Sequence, residues 1–166
     1  MTGLDKIREC MCQCLTQAGI NAVTAWSKDD KKKRSGPVVA VSLRACEGGP
    51  GGFKDYLGER YNADTQRWEE LYGKQAKFTF GLDIYSAARD GAAECQSAFD
   101  RIADALQEGT PSGLRLENLS RKETAYDEEL GLFRCCVEAV CNAYLYAVAD
   151  EDGVFVDFEV RGERKQ

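Results

Sequence analysis

The spacing of apolar and polar positions changes along the chain, and each change marks an element. Near the N-terminus Leu4, Ile7, Met11, Cys14, Leu15 and Ala18 recur at three- and four-residue intervals. That spacing puts them on one stripe of an α-helix. A helix is predicted over 3–18, capped at its start by Thr2 or Asp5 and closed by a left-handed Gly19. Residues 20–27 are ambiguous and are compatible with a short strand. Val38-Val-Ala-Val-Ser-Leu43, entered through Pro37, predicts a strand. From Tyr56 to Tyr85 the period becomes two. Tyr61 and Trp68 flank a polar turn, Asn62-Ala-Asp-Thr-Gln66. Within Lys77–Tyr85, Phe78, Phe80, Leu82 and Ile84 share one face, while Lys77, Thr79, Asp83 and Tyr85 share the other.

A second helix is predicted to start at Asp90. Cys95, Phe99, Ile102 and Leu106 form its stripe, and Gly109 and Pro111 stop it. The last third reads as strands over Leu114–Tyr126, Leu132–Val148 and Val154–Val160, with Asp150-Glu-Asp-Gly153 turning between the last two. The run 130–148 also fits a helical spacing. Its wealth of Val, Tyr, Phe and Cys favours a strand, and its length predicts a bend or bulge. Tyr61–Trp68 and Tyr126–Phe133 echo each other, each running eight residues from aromatic to aromatic over a polar turn. Two hairpins with similar turn chemistry explain this echo better than a tandem duplication.

The expected fold is α+β: a mostly antiparallel sheet with two main helices on one face, in the order α-β-β(hairpin)-β-α-β-β-β. The 166 residues suit a single domain. A charged loop is expected at 28–36, a glycine-rich loop at 47–54 and a flexible tail at 161–166. The glycine cluster lacks the Gly-Lys-Ser/Thr of a phosphate-binding loop.

Twenty-two basic residues stand against 28 acidic ones, a net charge of −6, which argues against a nucleic-acid-binding surface. The basic run Lys28–Arg34 and the loose basic tail of Arg161, Arg164 and Lys165 read as solvated. The opening run is broken by Asp5, Lys6, Arg8 and Glu9, so no secretory signal is expected. No apolar stretch is long enough to suggest a membrane span. Cytoplasmic folding is the expectation.

The chain has no histidine, which removes Ser-His and Cys-His nucleophile pairs and mixed Cys/His zinc sites. The eight cysteines contain no Cys-x-x-Cys pair. On a helix Cys14 points into the stripe, Cys10 flanks it and Cys12 points away, so the three do not converge on a metal. Cys95 lies in the second helix's stripe, and Cys46 stands alone. Cys135 and Cys136 point to opposite faces; Cys135 and Cys141 share a face but lie roughly 20 Å apart. These cysteines read as soft core residues of a reducing compartment, with Cys12 as an exposed, incidentally reactive thiol the alternative. Asp127-Glu-Glu129 and Asp150-Glu-Asp152 read as turn residues rather than catalytic acids. Asp83 reads as a strand position facing solvent or a neighbouring subunit. No catalytic, cofactor-binding or metal site is expected.

Phe78-Thr-Phe-Gly-Leu-Asp-Ile-Tyr-Ser86, followed by an amphipathic helix, resembles a segment of small prophage tail proteins. Tyr126-Asp-Glu-Glu-Leu-Gly-Leu-Phe-Arg134, Asn142-Ala-Tyr-Leu-Tyr-Ala147 and Val154-Phe-Val-Asp-Phe-Glu-Val-Arg-Gly162 extend the likeness. In order and spacing, residues 50–162 resemble the tail terminator (completion) proteins of bacteriophages and of phage-tail-like particles. These are strand and turn patterns, and tube or head–tail connector subunits carry similar ones. The resemblance implies a hexameric ring that stops tube growth and joins the tube to the head-proximal end. It implies copies of the chain, the tail tube and sheath or connector proteins as partners. DNA would only pass through, and no membrane is involved. The place implied is a virion tail or phage-tail-like particle assembled in the bacterial cytoplasm. Tyr61, Arg67, Trp68, Tyr126 and Phe133 are the expected subunit-contact residues, unless the aromatics simply cover the sheet.

Overall fold

The computed structural model describes residues 3–25, 36–48, 56–111, 113–149 and 155–161. The basic run 28–34, most of the glycine-rich loop, the acidic turn at 150–153 and the tail beyond 161 lie outside them. The elements in chain order are α1 (Gly3–Gln17), β1 (Ala22–Val23), β2 (Val38–Glu47), β3 (Tyr56–Asn62) and β4 (Arg67–Ala87). Then follow α2 (Ala92–Glu108), β5 (Arg115–Arg121), β6 (Ala125–Asp127), β7 (Leu132–Cys135), β8 (Val137–Ala149) and β9 (Phe155–Arg161). The described residues form an α+β fold, with two helices among them and a mixed, mostly antiparallel sheet.

The 21-residue β4 is the spine of that sheet. Along one edge it pairs with β3 through Arg67–Tyr72 and with β2 through Lys77–Tyr85. Along the other edge it pairs with β8 through Glu70–Gly81 and with β7 through Ile84–Ala87. All these pairings are antiparallel, and β1 joins β2 in parallel. Beyond β8 lie β5 and β9.

The alternation read from Lys77–Tyr85 holds in three dimensions. Phe78, Phe80, Leu82 and Ile84 are fully buried and share a core with Ile7, Met11 and Leu15 of α1 and Cys95, Ala98, Ile102 and Leu106 of α2. Both helices therefore cover the same face. The α1 stripe is narrower than its spacing suggests, because Leu4 and Ala18 are exposed. Gly19, at φ +76°, closes α1. Its N–H donates to Thr16 O at 2.9 Å and the Ile20 N–H donates to Leu15 O at 3.0 Å, the paired bonds of a Schellman cap. Arg101 Nη2 donates to Gly19 O at 2.6 Å and so ties α2 to that cap.

The C-terminal third divides more finely than the sequence indicates. Residues 122–124 interrupt the first predicted strand and split it into β5 and β6. The run 132–148 is extended, not helical, and it breaks at Cys136, whose carbonyl accepts the Lys122 N–H at 2.9 Å. The break lets one stretch of chain pair with β4 twice, through β7 and then β8.

Candidate interaction surface

The β3–β4 hairpin extends beyond the helix-covered core and carries exposed rings. Its turn is set by Asn62, whose Oδ1 accepts the Asp64 and Thr65 N–H groups at 3.0 and 3.3 Å. Gln66 takes a left-handed conformation at φ +55°. Asn and Asp favour such turns because the side-chain oxygen stands in for a backbone acceptor. Tyr61 and Trp68 are then direct cross-strand partners, with ring centroids 5.5 Å apart and edge to face. They are 53% and 50% exposed. Arg67, also exposed, stands opposite Asn62.

Two residues further from the turn, Glu59 and Glu70 oppose one another, and beyond a bulge at Gly58 so do Tyr56 and Tyr72. The Tyr56 and Tyr72 rings are 5.5 Å apart, again edge to face. Their hydroxyls donate to Glu59 Oε1 at 3.2 Å and Glu70 Oε2 at 2.7 Å. The hydrogen bond to Glu70 is the main influence holding the Tyr72 hydroxyl above its ordinary pKa. For Tyr56, desolvation acts first and the bond to Glu59 second. On the opposite face, Glu69 is buried and accepts from Arg60 Nε and Asn62 Nδ2, both at 2.8 Å.

The β6–β7 hairpin repeats this chemistry. Asp127 Oδ1 accepts the Leu130 N–H at 3.0 Å, and Gly131 is left-handed at φ +66°. Tyr126 and Phe133 are cross-strand partners 5.2 Å apart, edge to face. The echo in the sequence is thus two hairpins with a common turn plan. Tyr126 is 48% exposed, whereas Phe133 is partly buried and packs against the core, so Tyr126 is the ring this hairpin presents. Beside it lies an open concavity of about 330 Å³, lined by Lys122, Glu123, Tyr126, Asp127, Arg134 and Cys136. Its two cations are matched by two carboxylates.

The five expected contact residues do not form one patch. Trp68 is at the start of β4, and Phe133 pairs with Ser86 near its end. At about 3.3 Å per residue the two hairpins stand roughly 60 Å apart along that strand.

Asp83 departs from the solvent-facing placement, one of the two expected for it. It is buried, not solvent-facing, and is clasped by two arginines. Arg44 Nη2 donates to its Oδ1 at 2.6 Å and Arg134 Nη2 to its Oδ2 at 2.9 Å, while Arg44 Nη1 reaches Glu138 at 2.7 Å. The carboxylate is therefore engaged as a cross-strand tie between β2, β4 and β7. The Arg134 guanidinium also lies 5.7 Å from the centre of the Tyr85 ring.

All eight cysteines are free thiols. Cys95, Cys135 and Cys141 are buried; Cys136 points the other way and is partly exposed, as alternation requires. On α1 the sequence reading is reversed in part. Cys10 is the exposed thiol, and Cys12 packs against the core, so the core covers the Cys12 flank of the stripe formed by Ile7, Met11 and Leu15. Burial pushes the Cys95 thiol up to about 11, with smaller contributions from Cys135 and Glu94, and pushes Cys141 up to about 11 as well. Asp127 serves its turn. Among the described residues no group of three or more Cys, Asp or Glu is arranged to hold a metal ion, and no helix is long and apolar enough to cross a membrane.

The sequence reading did not single out Tyr56, Glu59, Glu70 and Tyr72. Their signal is mirror symmetry about the 62–67 turn, which sets Glu59 against Glu70 once the Tyr61–Trp68 pairing is fixed. No protein-family model matches the chain and no curated protein matches it.

Proposed function

We propose that the chain is a structural assembly protein whose copies close into a hexameric ring. The ring terminates a phage tail or phage-tail-like tube and joins it to the head-proximal end. The observation that carries this reading is the placement of exposed aromatic hairpins at opposite ends of β4. A ring needs a heterologous contact, in which one patch meets a different patch on the next copy. Half-exposed tyrosine and tryptophan side chains are the usual anchors of such contacts. The likeness of residues 50–162 to tail terminators supplies the ring size and the place in the particle. The net charge of −6 suits a conduit through which DNA slides without adhering.

The test is the mass of the purified protein in solution, followed by electron microscopy with tail tubes. A terminator gives closed rings that cap tube ends. Open-ended polymers would assign the chain to the tube itself, and a partner confined to the head side would assign it to the connector.

A further inference from the structure

The face of the β3–β4 hairpin that carries its rings has a repeating order. Outward from the turn it reads Tyr61/Trp68, then Glu59/Glu70, then Tyr56/Tyr72, with roughly 7 Å between levels. Two carboxylates directly opposite one another repel. Among the described residues neither meets a cation; each accepts a tyrosine hydroxyl. Glu69 on the other face is held by Arg60. The hairpin thus pairs the carboxylate of one face with an arginine and leaves two negative charges bracketed by four rings on the other. Aromatic rings attract cations at their faces, and carboxylates accept hydrogen bonds from guanidinium and ammonium groups.

Building on the ring reading above, we propose that this face is the docking site for arginine or lysine side chains of a neighbouring copy, supplied by its run Lys28–Arg34. That run has five basic residues and two acidic ones, the complement of the face. Its flanks are anchored far from the hairpin of the same chain: Val23 pairs with Ala40, and Val38 with Tyr85 near the end of β4. Trp68 is roughly 55 Å from Tyr85 along the strand. The connection 24–37, running out and back, reaches no more than roughly 25 Å. Donor and acceptor therefore meet between copies, which gives the head-to-tail contact a closed ring requires.

The test is complementation between two full-length variants. One is the acceptor-only protein, Lys31→Gln/Lys32→Gln/Lys33→Gln/Arg34→Gln. The other is the donor-only protein, Glu59→Gln/Glu70→Gln. Unfolding midpoints close to wild type establish that both fold. Mass is read at low and high salt. The wild-type chain assembles, and each variant alone loses association by roughly tenfold or more. Their mixture recovers one-to-one complexes that dissociate as salt rises. A wild-type chain that assembles together with variants that assemble equally well overturns this contact and leaves the ring standing. A wild-type chain that stays monomeric overturns both.

Discussion

The Arg44 guanidinium lies across Gly81, in the space where a side chain on β4 would stand. An added Cβ would overlap both Arg44 and the Ser42 hydroxyl, at 2.6 Å from the latter. From this position Arg44 reaches Asp83 on the same strand as Gly81 and Glu138 on β8. The missing side chain is what allows a cation from β2 to span three strands on the face away from the helices.

Gly81→Ala is expected to destabilise the protein by about 1–3 kcal/mol, as overpacking in a fitted site does. Part of that cost should disappear in an Arg44→Ala background, since the guanidinium is one of the two groups the methyl meets and the Ser42 hydroxyl is the other. Urea unfolding of the four proteins of this cycle measures it. An equal cost in both backgrounds would mean that Arg44 does not occupy the site.

Asp83→Asn keeps the shape of the side chain and removes the charge shared by Arg44 and Arg134. Hydrogen bonds to charged groups contribute about 1.5–3 kcal/mol, and the partial exposure of both arginines puts the expected loss toward the low end. The measurement is the urea midpoint at constant m-value. An unchanged midpoint would contradict the tie.

The buried thiols predict a pH dependence. Cys95 and Cys141 rise from 9.0 to about 11 in the folded chain. A thiol raised by folding contributes stability that is complete below its unfolded value and is lost as pH rises through its folded value. The thiols' contribution to the unfolding free energy should therefore be level below pH 9 and fall between pH 9 and 11, by about 1.4 kcal/mol per pH unit per thiol. Tyr85, raised chiefly by burial, adds in the same direction. Cys95→Ala/Cys141→Ala should flatten the curve, and a wild-type curve level to pH 11 would contradict the burial.

Thiol labelling separates the cysteines by position. In the native protein Cys10 and Cys46 should react first, Cys12, Cys14 and Cys136 more slowly, and Cys95, Cys135 and Cys141 only on unfolding. Mass spectrometry of peptides after brief alkylation gives the order. Rapid modification of Cys141 would be inconsistent with its place in the core.

Much of this architecture is legible in residue order. Phe78, Phe80, Leu82 and Ile84 announce their face because strand period and burial coincide there. Gly19 announces the end of α1 because a left-handed cap favours glycine. The role of Asp83 is not legible, since its partners Arg44 and Arg134 are brought to it only by the pairing of β2 and β7 with β4. The orientation of Cys12 is not legible either: Cys10 and Cys12 flank Met11 at equal angles on a helix, and only the packing of α1 against the sheet decides which flank is covered. The acidic pair Glu59/Glu70 becomes visible only after the hairpin register is known, because nothing in the neighbours of either residue marks it.

The most direct test of the assembly reading is the native mass of the wild-type chain beside Trp68→Ala and Tyr61→Ala/Tyr126→Ala. The expected result is a closed ring of fixed mass for the wild type, with variants that keep their unfolding midpoints but lose association by roughly tenfold or more. A wild-type protein that remains monomeric at every concentration, or variants that form the same ring, would contradict it.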